Sequence, residues 1–484
     1  MRRYPLLVFG VVIFFLGLIE MPIDDGLRHV GLASADGRQW SAVYPHSRFQ
    51  DYARVAPWFG YDLALRSLYA LIACVAPSPL VSKFLLLKGL MLLLGLATCI
   101  ALIRKSGIDR EVHGPGSLAL FVALALLFLS QPVYRSMMAR PFILGTLYLL
   151  YTIGSRGAAR GAAASALLTF FYPYLSWFYI LPAGACHLLR GSRSFALGAL
   201  GFLALFLAFQ PTDFWGLLKA LVESGGVRRE TGLSITELAF SLSHFFSLFY
   251  LGLLAAAFPF FSPDARRLSY PALLLLAYLP PSLIYTRTFL DVFMPLAFAA
   301  YGRELFVVMG GWASRVVSGW REHLHGAAPE KLRRWMARRR HGAAMAKAPS
   351  LPFRAALAAG FAVLIGLTGA TAHRHYQELK SIETALSAIP RSATVLTAFN
   401  QQYRVLFLRP DLSIVPSSEI GFPSPRIRAE YSDFFRHGAF RRLAEKTGAG
   451  YLVEANDMHL DPLDACHLLP AGSSKGLEVW MITP

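Results

Sequence analysis

Apolar runs of about 15–22 residues recur along most of this chain, and its Lys and Arg residues gather between them. A run of that length crosses the hydrocarbon core of a bilayer as a helix, because only intrahelical hydrogen bonds satisfy the backbone there. The runs predict about eleven spans, near 4–21, 83–103, 117–131, 141–154, 162–175, 177–189, 194–210, 238–261, 270–286, 290–309 and 354–372. Residues 61–76 read either as a further span or as an external helix. A hydrophobic content of 55% beside a net charge of +18 fits a chain in lipid and no water-soluble core.

The placement of the basic residues sets the sidedness. From Arg303 to Arg354 there are 11 Lys and Arg against 3 Asp and Glu, and smaller clusters stand at Arg104-Lys105, Arg156 to Arg160, Arg190 to Arg193 and Arg266-Arg267. Putting these clusters in the cytoplasm satisfies the positive-inside bias and leaves 22–82, 132–140, 211–237, 287–289 and 373–484 outside. The expected setting is the inner membrane of a bacterium, with the N-terminus cytoplasmic. The apolar run from Leu6 to Ile19 behind Arg2-Arg3 imitates a signal peptide, but the small triplet Ala33-Ser34-Ala35 lies too far from it for cleavage, so a retained helix is expected. No aromatic-basic interleaving or zinc spacing accompanies the charge, which argues against nucleic acid as a partner. Four cysteines without paired spacing indicate neither a disulfide framework nor a metal knuckle.

Two domains are expected. Residues 1–372 form the membrane part, with an outer loop at 22–82 and a basic cytoplasmic loop at 302–353. In the outer loop, Trp40–Tyr61 and Asp62–Pro77 read as helices lying along the membrane surface. Residues 373–484 change to a soluble α/β texture and read as a small extracytoplasmic domain. Its β-like runs are Ala393–Ala398, Gly450–Glu454 and Leu477–Ile482, around a helical Arg426–Lys446.

Four outer segments hold residues fit for chemistry. Asp24 and Asp25 follow the first helix; such a pair can act as general base or hold a divalent cation, and either residue can equally cap a helix. Arg135 and Arg140 sit in a short outer loop against the sidedness bias, where they meet an anion or snorkel to the interface. Arg287 lies at the end of one span and Asp291 at the start of the next; a planar guanidinium matches phosphate oxygens, and the two residues could also pair with each other. Ser234-Ile235-Thr236-Glu237 closes the 211–237 loop and reads as well as a helix cap. His29, four or five residues beyond the acids, shares their face if the segment is helical.

Taken in order, these segments resemble the GT-C superfamily of membrane glycosyltransferases, which use polyprenyl-phosphate-linked sugars at the outer face. Within it, the chain is most similar to single-subunit oligosaccharyltransferases: Tyr134–Arg140 matches their short second outer loop, Ser234 to Glu237 their Ser/Thr-Ile/Val-x-Glu motif, and Arg287–Tyr301 their phosphate-contacting segment. The chain departs from them in having Arg140-Pro141 where they carry a second acidic pair, and in having no Trp-Trp-Asp within 373–484. The resemblance implies a GT-C-like polytopic helical fold. It implies an inverting transfer with Asp24 or Asp25 as base, both available to hold a magnesium or manganese ion, and with Arg287 on the leaving phosphate. Arg135, Arg140, Arg28, His29 and Glu237 complete the expected donor-binding set. The implied partners are a polyprenyl-phosphate-linked sugar, a lipid, glycan or protein acceptor, and the membrane. A flippase for a lipid-linked substrate would also place charges at membrane depth, but it would advertise internal repeats, and none is found. A non-catalytic subunit on the same scaffold is the other alternative.

Overall fold

The computed structural model describes residues 4–22, 25–35, 40–47, 58–112, 115–209, 269–284, 288–327, 351–397, 401–415, 424–454, 459–474 and 477–483. The chain opens with an apolar helix α1 (Tyr4–Ile19), followed by α2 (Asp25–Ala33), a single turn α3 (Trp40–Val43) and α4 (Phe59–Ala73). Next comes α5 (Pro79–Ser106), whose signals are explicit. Ser78 Oγ accepts from the Val81 N–H at 3.3 Å, Pro79 occupies the first turn, and Gly107 closes the helix at φ +68° with Arg104 and Lys105 in the last turn. At about 1.5 Å per residue, 28 residues extend ~42 Å, more than a bilayer's hydrocarbon core.

The bundle continues with α6 (Pro115–Met137), α7 (Ile143–Thr152), α8 (Ala158–Phe171), α9 (Ser176–Arg190), α10 (Arg193–Phe209) and α11 (Tyr270–Ile284). A five-residue π-turn, Phe289–Phe293, leads into α12 (Met294–Ala327), and α13 spans Leu351–Leu386. Packed around α5 are α1, α4, α6, α7 and α12. Small residues let α8 and α10 touch through their backbones: a Cβ on Gly161 would meet the Phe195 carbonyl, and one on Gly198 the Ala158 carbonyl. Among the described residues, Pro79–Ser106 and Phe289–Gly311 are long and apolar enough to cross a membrane; Gly10–Ile19, Ile143–Thr152, Ala158–Phe171 and Arg193–Phe209 are shorter apolar helices.

Several expected boundaries are corrected. The loop expected at 132–140 is mostly helix, because α6 continues to Met137 and carries Arg135 in its last turn. Half of the basic loop expected at 302–353 is also helix, since nothing in 310–327 breaks the periodicity of α12. The helix expected to end at 372 runs on to Leu386, so the boundary drawn between 372 and 373 falls inside one continuous element. Within the expected outer loop, residues 26–35 are buried. The span expected at 238–261 lies outside the described residues.

Beyond α13, five strands form one sheet: β1 (Thr394–Thr397), β2 (Ser413–Ile414), β3 (Tyr451–Glu454), β4 (Leu468–Ser474) and β5 (Leu477–Ile482), in the order β2-β1-β3-β5-β4. The pairs β1–β2 and β1–β3 are parallel, while β5 runs antiparallel to both β3 and β4. Residue alternation splits β1 and β3 between two cores. Leu396 and Leu452 face Tyr431, Phe434, Phe440 and Leu443, whereas Val395 and Val453 join Ile382, Leu386 and Leu406. Both faces of the parallel pair are therefore covered, as buried parallel strands require. Helices α14 (Gln402–Leu408), α15 (Arg428–His437), α16 (Arg441–Thr447) and α17 (Pro462–Ala465) surround the sheet.

Candidate functional site

At one end of the bundle, α2 is wedged between α4, α5 and α14. Two glycines make this possible. A Cβ on Gly26 would lie 2.7 Å from the Met138 carbonyl oxygen, and one on Gly31 would lie 2.7 Å from that of Leu406. Two lysines of α5 fasten neighbouring helix ends, where a cation meets unpaired carbonyls and the negative end of the helix dipole. Lys88 Nζ donates to the carbonyls of Gly17 at 3.2 Å and Leu18 at 3.1 Å and to that of Glu20, at the end of α1, while Lys83 Nζ donates to Leu408 at 3.1 Å, at the end of α14.

The wedge presents Arg28 and His29, both fully buried. Arg28 Nη2 lies 3.1 Å from His29 Nε2, and its guanidinium carbon stands 4.2 Å from the centre of the Trp58 ring and 5.9 Å from that of Tyr403. On its other edge, His29 Nδ1 lies 2.6 Å from Asp62 Oδ1. Trp58 and Tyr61 meet the imidazole edge to face at 5.3 and 5.0 Å, and the Tyr61 hydroxyl donates to the Ala139 carbonyl at 2.7 Å. Tyr61 thereby joins the His29 environment to the corner between α6 and α7.

That corner holds Arg135 and Arg140. Ala139 adopts φ +54°, a left-handed conformation that a residue with a Cβ rarely takes, and the chain turns there so that Arg140 is buried at the start of the next segment. The Phe142 ring lies between the two cations, 5.5 Å from the Arg135 guanidinium carbon and 5.8 Å from that of Arg140. Arg135 grips Asp291 of the π-turn with two hydrogen bonds, Nε to Oδ1 at 2.8 Å and Nη2 to Oδ2 at 3.1 Å, in a pair buried to 5% and 2% exposure. Thr146 Oγ1 donates to the Asp291 carbonyl at 2.5 Å, which ties α7 to the same turn. π-turns inside helices occur often at functional sites.

The structure thus brings Arg28, His29, Arg135 and Arg140 together. Asp25 begins α2 in their midst, with Asp24 one residue before it; Asp24, Arg287 and the segment Ser234 to Glu237 lie outside the described residues. Asp291 pairs with Arg135 across the bundle, and His29 is bonded to a carboxylate. Sequence reading missed Asp62, Trp58, Tyr61, Phe142 and Tyr403 as parts of this site. For Asp62 the available signal is a lone carboxylate in the apolar stretch from Trp58 to Pro77.

A divalent cation needs several oxygen ligands. Among the described residues no group of three or more His, Cys, Asp or Glu side chains comes together, and the described carboxylates here, Asp62 and Asp291, are bonded to His29 and Arg135. The guanidiniums suit an anion, while the expected cation ligands, the carboxylates of Asp24 and Asp25, lie outside the described side chains. Nearby, the first loop reaches the sheet domain: Ser413 Oγ donates to the Ala42 carbonyl at 3.0 Å and Ser424 N to that of His46 at 2.9 Å. Burial lowers the pKa of the His46 imidazole, opposed by its bond to the Thr447 backbone.

Among solved structures, the chain is similar to the oligosaccharyltransferase of Archaeoglobus fulgidus in its apo form, at a TM-score of 0.51 and 12% identity over 94% of this chain and 69% of that one. It also matches the archaeal oligosaccharyltransferase AglB from Archaeoglobus fulgidus, in complex with an inhibitory peptide and a dolichol-phosphate, at a TM-score of 0.46 and 13% identity, covering 94% and 70% of the two chains. At these identities the likeness is one of fold. No family model matches the chain, and no curated protein matches it.

Proposed function

We propose that this membrane protein transfers a sugar from a polyprenyl-phosphate or diphosphate carrier to a lipid, glycan or protein acceptor at the extracytoplasmic face, with inversion at the anomeric carbon. The observation that carries the reading is the burial of three guanidiniums, Arg28, Arg135 and Arg140, around the helix that starts at Asp25. Planar guanidinium donors match phosphate oxygens two at a time, so a bundle end where three of them gather suits an anionic group.

In this reaction Asp24 or Asp25 takes the acceptor's proton as the acceptor atom bonds to the anomeric carbon. The bond from that carbon to the phosphate oxygen breaks, and its electron pair leaves with the lipid phosphate. Arg28, Arg140 and Arg287 stabilise the departing charge, which grows as the bond breaks. Arg135 acts one step back: by clamping Asp291 it holds the turn that begins just after Arg287. Glu237, the remaining expected donor contact, lies outside the described residues. No step is routed through a metal.

The test is transfer from a panel of undecaprenyl- and dolichyl-phosphate sugars by Asp24→Asn, Asp25→Asn and the double variant, each purified at normal yield. The double variant is expected to lose transfer entirely. Full activity in all three removes the acid pair from the reaction.

A further inference from the structure

We infer that Asp62 is a positioning residue of the donor site, acting through His29 on Arg28; this rests on the phosphate-binding role just proposed for Arg28. A guanidinium can only donate, so His29 Nε2, 3.1 Å from Arg28 Nη2, must be the acceptor. The imidazole is then neutral and carries its proton on Nδ1, where it is donated to Asp62 Oδ1 at 2.6 Å. The order Asp62, His29, Arg28 is therefore forced by donor and acceptor chemistry. The carboxylate selects the tautomer, and the tautomer presents a lone pair to the guanidinium.

The surroundings leave His29 little other freedom. Trp58 and Tyr61 enclose the ring edge to face, and Tyr61 is fixed in turn by the Ala139 carbonyl. The Arg28 guanidinium has Trp58 on its face and Tyr403 beyond it, so the bond from His29 sets the rotation of the fork in its plane. Asp62 and Trp58 belong to one element and its entry, α4, so that element supplies both the stacking surface and the carboxylate that aims the cation. A protonated His29 would place two cations 3.1 Å apart in a buried space, an arrangement the carboxylate alone could not offset. His29 is thus a spacer between a carboxylate and a guanidinium, and touches neither metal nor phosphate.

The experiment is binding of tritiated undecaprenyl phosphate to the full-length protein in nanodiscs, read by scintillation proximity, with melting temperatures recorded for every variant. Asp62→Asn removes the charge and admits the opposite tautomer. It should raise Kd roughly tenfold or more, the worth of a hydrogen bond to a charged group, at a near-native melting temperature. Asp62→Glu keeps the carboxylate and should restore part of the affinity; if Asp62→Asn fails to accumulate, Asp62→Glu carries the same test with a smaller expected change. Arg28→Lys should also weaken binding, and adding Asp62→Asn to it should cost nothing further, because the two changes break one chain of contacts. Unchanged Kd in Asp62→Asn, or a full additional loss in the Arg28→Lys background, overturns the positioning role while leaving the lipid-phosphate reading intact. Absence of binding by the wild-type protein overturns both.

Discussion

A buried charge is tolerated only with a matched partner, and the contact between Arg135 and Asp291 shows how strictly that holds here. Both carboxylate oxygens receive N–H donors, and Thr146 anchors the same residue through its backbone. Removing one partner leaves the other charge stranded, so Arg135→Ala and Asp291→Ala should each lower stability by about 3–5 kcal/mol. Replacing both at once by Met and Leu should recover most of that loss, because neither charge is then left without the other. Thermal unfolding in detergent measures both; equal losses in the single and double variants would mean that the ion pair is not what links α6 to the π-turn. The partner of Asp291 was not legible in the sequence. Arg135 stands 156 positions away, and only the packing of α6 against the π-turn brings the two together. Arg28 and His29 were legible as site residues because they follow an acidic pair at the end of an apolar run. Asp62 was not, since a carboxylate in an amphipathic stretch looks like a solvated face until its histidine is seen.

Elements follow the same division. Helix α5 is written in local signals, from Ser78-Pro79 at its start to Gly107 at its end, and the strands Thr394–Thr397, Tyr451–Glu454 and Leu477–Ile482 in short β-branched or apolar runs. By contrast, α2 has no such autonomy. It is a nine-residue helix with two glycines, shorter than helices that hold together alone in water, and it exists because three elements enclose it. Its seat therefore depends on close approach. Gly31→Ala would put a methyl group 2.7 Å from the Leu406 carbonyl oxygen, where backbone must move to admit it. The expected loss is about 1–3 kcal/mol of stability, with weaker binding of undecaprenyl phosphate as Arg28 shifts away from Tyr403. A variant that melts and binds as the wild type does would show that α14 is free to retreat. Strand β4 went unforeseen because it reads Leu-Leu-Pro-Ala-Gly-Ser-Ser; proline and glycine fit an edge strand with an irregular register, as β4 has between Pro470 and Gly472.

For the molecule as a whole, sidedness is the property on which function turns. Lys83 bonding to Leu408, Arg135 to Asp291 and His375 to the Ile19 carbonyl at 3.0 Å put the sheet domain at the same end of the bundle as the arginines. The four cysteines make this testable, since Cys74 and Cys466 are exposed whereas Cys99 and Cys186 are buried. In a Cys74→Ser background, a membrane-impermeant maleimide added to intact spheroplasts should label Cys466 alone. Labelling that requires permeabilised membranes would put the arginine end in the cytoplasm and exclude an extracytoplasmic transfer.

The contact of Arg28 with Tyr403 also bears on how the protein is made. Its two halves are separated by 375 positions of chain, and translation delivers them in sequence, N-terminal half first. A nascent chain that has inserted every helix up to α13 has the Trp58 ring on that guanidinium but still lacks Tyr403 beyond it and the Leu408 carbonyl for Lys83. On the proposed reading, donor binding then waits until the final segment emerges and folds back onto α2, so that a ribosome stalled late in synthesis leaves an incomplete site in the bilayer.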